Sequence, residues 1–241
     1  MEAAKYRRLA LILDDEASQI GELALRLVRL GVDSLYANDF DESVLLARQE
    51  ADDVGAVIVP SNRATVWLPP ILKRLKLPPV AVVPTGERPD DATVESLRSE
   101  GVRWALWTPD DDRALRFVVT AAMSETDFTE ARFNLRVPTD LAGSVQRGPL
   151  DRPCVIHNLC ESGALVALDP VVPVQGRITL RLGVGDASLS LRARVAWSTE
   201  SSEVYPPEPS PGMGVRFDDV DAESRSALSR ILAAELQRFR L

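Results

Sequence analysis

Two periods of hydrophobicity divide this chain. In its first half, short apolar runs alternate with segments whose apolar residues recur three and four positions apart. The runs are Leu9-Ala10-Leu11-Ile12-Leu13, Ser34-Leu35-Tyr36, Ala56-Val57-Ile58-Val59, Val80-Ala81-Val82-Val83 and Trp104-Ala105-Leu106-Trp107. The spaced segments carry Ile20, Leu23, Leu27 and Leu30, then Leu68, Ile71, Leu72 and Leu75. Repeated strand–helix alternation predicts a parallel sheet covered by helices on both faces. The expected architecture is a five-stranded doubly wound α/β domain, whose ligands sit beyond the carboxyl ends of the strands.

The period then falls to two. Ile178, Leu180, Leu182 and Val184 alternate with Arg177, Thr179, Arg181 and Gly183; Leu189, Leu191, Ala193, Val195 and Trp197 alternate with Ser190, Arg192, Arg194 and Ala196. This pattern predicts half-buried antiparallel strands with Trp197 on the inward parity, joined through a turn at Gly183-Val184-Gly185-Asp186. Further strands are expected near 137–145, 153–157, 164–168 and 214–217, giving a six-stranded antiparallel barrel that removes exposed edges. Residues 200–211, rich in Ser, Pro and Glu, are expected to form an exposed loop. From the capping residue Asp221, with Glu223 in the first turn, Leu228, Ile231, Leu232, Leu236 and Phe239 line one face of a C-terminal helix. The expected domains are 1–123, a linker 124–136, and a barrel with its helix over 137–241.

The 241 residues carry 28 basic and 36 acidic side chains, a formal charge of −8. That balance argues against general nucleic-acid affinity, so an anionic ligand must meet a local arginine cluster. No apolar run reaches the roughly 18 residues of a membrane span, and Met1-Glu2-Ala3-Ala4-Lys5 lacks the apolar stretch of a signal peptide. A cytoplasmic location without membrane insertion is expected. Cys154 and Cys160 are read as free thiols, too few for a disulfide framework and without the spaced partners of a zinc site. His157 is the single histidine and has no acid or nucleophile arranged beside it in sequence, so enzyme activity and a metal centre are not expected.

The first predicted strand runs into Asp14-Asp15-Glu16, without the GxGxxG of a dinucleotide site. Leu11-Ile12-Leu13-Asp14-Asp15-Glu16, together with Thr108-Pro109 after the fifth strand, resembles a response-regulator receiver domain, whose adjacent acids hold magnesium. Phosphoryl transfer to a receiver needs a carboxylate nucleophile after the third strand and a lysine after the fifth. Here those positions carry Pro60 and Thr108, while Thr85 lies near the hydroxyl position after the fourth strand. The expectation is a pseudo-receiver that is not phosphorylated. Its Asp14-Asp15 turn is read as a solvated acidic helix start, where the helix dipole favours carboxylates. The resemblance implies a protein-docking face over 93–100, 104–107 and 110–119.

Between the halves lies Arg132-Phe133-Asn134-Leu135-Arg136, an RxxxR, followed by Asn158-Leu159-Cys160-Glu161-Ser162-Gly163. With the closing segment Gly212-Met213-Gly214-Val215-Arg216-Phe217, these resemble the paired RxxxR and [D/N]xSxxG motifs and last strand of PilZ domains, bacterial receptors for cyclic di-GMP. The resemblance implies a six-stranded barrel with a C-terminal helix, and cyclic di-GMP as ligand with no cofactor. It assigns Arg132 and Arg136 to phosphate and guanine edges, Asn158 to a guanine edge, and Gly163 to close approach and the turn. The chemistry is apt, because arginine offers a fixed fork of donors and a flat cation that stacks on rings. Cys160 departs from the family serine, and a thiol is a weaker hydrogen-bond partner by around 1 kcal/mol.

The sequence thus predicts a signalling adaptor that binds cyclic di-GMP and relays it through protein contacts of the pseudo-receiver, in motility or surface behaviour. Its partners are unidentified signalling or motility proteins. The alternative is a degenerate domain that binds no nucleotide and acts as a protein scaffold.

Overall fold

The computed structural model describes residues 9–14, 20–49, 53–108, 110–126, 136–184, 187–199 and 211–241. The chain divides into two compact units, Met1–Phe133 with Phe239–Leu241, and Asn134–Arg238.

In the first unit, β1 (Leu9–Leu13), β2 (Asp33–Ala37), β3 (Val54–Pro60), β4 (Val82–Gly86) and β5 (Leu106–Trp107) form one parallel sheet in the order β2-β1-β3-β4-β5. This is the strand order of flavodoxin-like doubly wound folds. The crossovers are α1 (Glu22–Arg29), α2 (Phe40–Gln49), α3 (Ala64–Leu75) and α4 (Asp91–Ser99), with α5 (Asp112–Thr126) after the last strand. Leu11, Ile12, Leu13, Val57, Ile58 and Val59 have no accessible surface, which is why these strands read as unbroken apolar runs instead of alternating ones. Burying each such side chain contributes about 1.5–3 kcal/mol. Two strand positions differ from expectation. Pro79–Ala81 forms a short 3-10 turn, so β4 starts at Val82 and Thr85 lies inside it, buried and paired with Pro60 and Leu106. Strand β5 holds only Leu106–Trp107.

Trp104 instead makes an isolated antiparallel bridge to Arg240 near the chain end. Ala105 N–H donates to the Phe239 carbonyl at 3.0 Å, and Leu241 N–H donates to the Arg103 carbonyl at 3.1 Å. Phe239, expected on the last helix, lies beyond it and packs against Phe117, which meets Trp104 edge-on at 5.8 Å. The Arg240 guanidinium covers the Trp104 ring at 4.6 Å, so Trp104 is buried and presents no docking surface.

The second unit is a closed six-stranded barrel, β10-β11-β8-β7-β6-β9. Its strands are β6 (Val137–Arg147), β7 (Leu150–Cys160), β8 (Gly163–Ala167), β9 (Arg177–Val184), β10 (Ala187–Thr199) and β11 (Gly212–Phe217), all paired antiparallel. Leu180, Leu182, Leu191, Val195, Ile156 and Val166 fill the interior. The helix α6 (Ala222–Leu236) starts at Asp221, whose carboxylate accepts from Ser224 N–H at 2.8 Å, and it buries Leu228, Ile231 and Leu232. The expected loop over 200–211 lies, except for Pro211, outside the described residues, as do two residues of the expected turn, Gly185 and Asp186.

One inward assignment is overturned. Pairing between β10 and β11 slips between Val195, opposite Val215, and Trp197, opposite Gly214. The extra residue, Ala196, is a bulge, and a one-residue slip turns every following side chain to the other face. Trp197 therefore points outward and is 43% exposed.

Candidate functional site

The carboxyl ends of the parallel strands bring Asp14, Pro60, Thr85 and Thr108 to one edge of the first unit. Asp15 and Pro109 lie outside the described residues. Asp14 is not a solvated turn residue. It is 2% exposed, and its Oδ2 accepts from Gly21 N–H at 3.0 Å and from the Tyr36 hydroxyl at 3.1 Å. Its backbone N–H donates to Ala37 O at 2.9 Å, so this acid ties β1 to β2 and to the start of α1. Pro60 ends β3 fully within the sheet. The following Ser61 spends its N–H on Thr85 O at 2.8 Å and its hydroxyl on Glu87 O at 2.6 Å. Thr108 N–H donates to Gly86 O at 2.9 Å. Beyond it, Asp110 and Asp112 hold Arg26 at 3.1 and 2.7 Å. At this edge Asp14, Ser61 and the Thr108 backbone are thus engaged in structural contacts. Among the described residues, no group of three or more His, Cys, Asp or Glu side chains is placed to hold a metal ion.

The second motif pair assembles on the barrel. Pairing of β6 with β7 sets Pro138 opposite Asn158 and Val137 opposite Leu159. Arg136, one residue before Val137 and exposed, therefore enters β6 beside Cys160. Arg132 lies outside the described residues. Asn158 Oδ1 is buried and has no hydrogen-bond partner among the described residues. An unpaired buried acceptor typically costs about 1–3 kcal/mol, so its persistence marks a place where an external donor would stabilise the fold.

Cys160 is 2% exposed, with its thiol 3.4 Å from both the Gly163 carbonyl and the Ser162 hydroxyl. It steadies the two-residue turn Glu161-Ser162, and Ser162 O accepts from Phe217 N–H at 2.9 Å. Gly163 is required by β11: a Cβ there would lie 2.2 Å from the Val215 carbonyl oxygen. Its glycine serves strand approach, and it begins β8 after the turn. His157 has an acid beside it after all. It is the bulge residue between Ile156 and Asn158, and its Nδ1 lies 3.3 Å from Asp140 Oδ1.

Cross-strand registers extend the motif into a surface. One row runs Asn158, Leu165, Gly214, Trp197 across β7, β8, β11 and β10. At Gly214 a Cβ would fall 2.2 Å from Trp197 Nε1, so glycine lets the exposed indole lie down on the strand. The parallel row runs Cys160, Gly163, Arg216, Arg194, Arg177. The sequence motifs do not include Trp197, Arg194 or Arg177; the outward arginines were visible in the period-two pattern, whereas the Trp197 orientation depended on the bulge.

Residues 130–234 match the family model for the PilZ domain. No curated protein matches the chain significantly. Among solved structures it is similar to the PilZ domain of CeSA from a cellulose-synthesizing bacterium, at 14% identity over 41% of this chain and 95% of that one, with a TM-score of 0.32. It is similar to the inhibitor of motility MotI/DgrA of Bacillus subtilis, at 17% identity over 45% and 53% of the two chains, TM-score 0.36. It is also similar to YcgR of Escherichia coli in complex with c-di-GMP, at 16% identity over 46% and 47%, TM-score 0.36. The matched region spans about half the length of the last two. Residues 130–234, which hold the closed barrel and most of its C-terminal helix, are a PilZ domain.

Proposed function

We propose that this protein is a cyclic di-GMP receptor whose ligand rests on the outer face of the barrel at Arg132, Arg136, Asn158, Cys160 and Gly163. The carrying observation is the buried Oδ1 of Asn158, which has no hydrogen-bond partner among the described residues and is set by strand register two residues from Arg136. A guanine N1–H or N2–H would supply the missing donor, Arg136 a phosphate or base-edge contact, and the Trp197 indole a surface for stacking. Cys160 supports the turn and brings no hydroxyl to the ligand.

The first unit is read as a receiver-like relay that is not phosphorylated and acts through protein contacts, in motility or surface behaviour. Support comes from Pro60 and Thr108 at the nucleophile and lysine positions and from the engagement of Asp14 by Gly21 and Tyr36. The contrasting scaffold reading rests on Cys160. Calorimetric titration with cyclic di-GMP decides between them: micromolar or tighter binding that is lost in Arg136→Ala and Asn158→Ala supports the receptor, and no heat with folded wild-type protein assigns the scaffold. Acetyl phosphate with magnesium should add no phosphate mass to the protein, and stoichiometric labelling would overturn the relay reading.

A further inference from the structure

Alternation along β7 breaks at His157. Cys154 and Ile156 are buried on the inward parity, and strict alternation would send Asn158 into the barrel after them. Instead the next inward residue is Leu159, fully buried and opposite Val137 and Ala164. His157 is extra to the pairing with β8, where Ile156 faces Val166 and Asn158 faces Leu165. One extra residue turns every later side chain to the other face, so this bulge puts Asn158 on the outside of the barrel.

The Ala196 bulge on β10 does the same for Trp197, which lies at the other end of the row Asn158, Leu165, Gly214, Trp197. Both bulges are fixed by hydrogen bonds. On β7, Thr139 is 1% exposed and its hydroxyl donates to Ile156 O at 2.6 Å, within the stretch where Thr139 and Asp140 together oppose His157. On β10, Val195 stands just before the bulge; its N–H donates to Gly176 O at 3.0 Å, and its carbonyl accepts from Gln175 N–H at 2.8 Å. Gln175 takes a left-handed φ of 68° in the turn that makes this contact. Bulges needed only to close a barrel could fall anywhere along its strands. Here they fall at the two ends of one row and re-aim its polar and its aromatic member to the same face.

We propose that Thr139 is a positioning residue for the ligand face: its bond to Ile156 O holds the His157 bulge, and the bulge holds Asn158 outward in line with Trp197. Thr139 is buried beneath that face and touches no ligand. Its hydroxyl ties β6 to β7 where the regular ladder is interrupted, a bond that valine, similar in shape, cannot make. The proposal rests on the receptor reading and deepens it, because Thr139 and His157 lie outside both sequence motifs.

The test is a double-mutant cycle on the full chain. Cyclic di-GMP is titrated calorimetrically into wild type, Thr139→Val, Asn158→Ala and the double variant, with Thr139→Ser as the replacement that keeps the hydroxyl. Circular dichroism establishes that each is folded at the assay temperature, and Thr139→Ala takes the place of Thr139→Val if the latter does not fold. Thr139→Val should weaken binding roughly tenfold, and Thr139→Ser should stay within about threefold of wild type. Thr139→Val should weaken Asn158→Ala no further, because both act through one side chain. In parallel, Asn158→Cys is labelled with a maleimide, with and without Thr139→Val, against the background of the buried Cys154 and Cys160. Loss of the bulge turns position 158 inward, so labelling should slow when Thr139→Val is present. Unchanged affinity in folded Thr139→Val, or losses that simply add in the double variant, overturns the positioning role and leaves the receptor reading standing. If wild type binds no cyclic di-GMP, the receptor reading falls and the labelling decides: slowing keeps Thr139 as the residue that turns position 158 outward, and an unchanged rate overturns it.

Discussion

Asn158 faces Pro138 across β6 and β7, a partner with no N–H to offer, and no donor among the described residues reaches the Asn158 side-chain oxygen. This places an unmet acceptor on the second motif and Arg136 two residues up-chain from its strand partner. Asn158→Ala removes the acceptor, so the variant should keep or slightly gain thermal stability. Its cyclic di-GMP affinity should fall by about 1–3 kcal/mol, roughly 5- to 150-fold. A calorimetric titration beside a melting curve separates the two effects, and a large loss of stability would contradict the unpaired state of this oxygen.

Cys160→Ser restores a stronger donor toward the Gly163 carbonyl, now 3.4 Å from the thiol. The turn should be firmer by around 1 kcal/mol, read as a higher denaturation midpoint, with cyclic di-GMP binding tightened several-fold through the ordered turn. A lower midpoint would mean that the pocket is shaped for sulfur.

Gly163→Ala should be the most damaging of the motif substitutions. The new methyl meets the Val215 carbonyl oxygen at 2.2 Å, a backbone atom that moves only if β8 and β11 separate. Overpacking of this kind costs about 1–3 kcal/mol or more, visible as a fall in melting temperature without any ligand present.

Arg194→Thr should stabilise the barrel. The change removes a charge flanked in register by Arg177 and Arg216, and threonine suits a strand. The gain should be about 0.2–1 kcal/mol per relieved pair at low ionic strength and should shrink in molar salt, where exposed charges are screened. A melting series in increasing salt tests it.

The Cys154 thiol gives the chain an alkaline limit. Burial first, and then the Asp151 carboxylate, push it from an ordinary 9 up to about 11. The folded state thus holds this proton more tightly than the unfolded chain does. Its contribution to stability is fully present below pH 9 and is lost as the pH rises through about 11. Urea midpoints measured from pH 8 to 11 should decline, and Cys154→Ala should flatten that decline. An iodoacetamide assay at pH 8 should find this thiol nearly inert.

The parts legible in the sequence were those fixed by local pattern. Leu11 to Leu13 and Val57 to Val59 betrayed buried parallel strands, the paired runs around residues 183–186 betrayed a hairpin, and Asp221 betrayed its helix start. Features set by a distant partner were not. Trp197 read as inward because parity assumes an unbroken ladder, and only the register against Gly214 reveals the extra residue. Asp14 read as solvated because nothing beside it in sequence shows that Tyr36 and Gly21 converge on it. Arg177, Arg194 and Arg216 were each plainly outward, but their alignment is a property of three strands together.

Phe239 gives this chain an asymmetry under cleavage. It follows a helix of the second unit yet completes the aromatic cluster of the first, against Phe117 and Trp104. A protease cut between the units would release a barrel that carries away part of its neighbour's core, and the remaining piece, 1–133, would open Trp104 to water. The clip should shift Trp104 fluorescence to the red, and a peptide ending in Gln237-Arg238-Phe239-Arg240-Leu241 added in trans should reverse the shift.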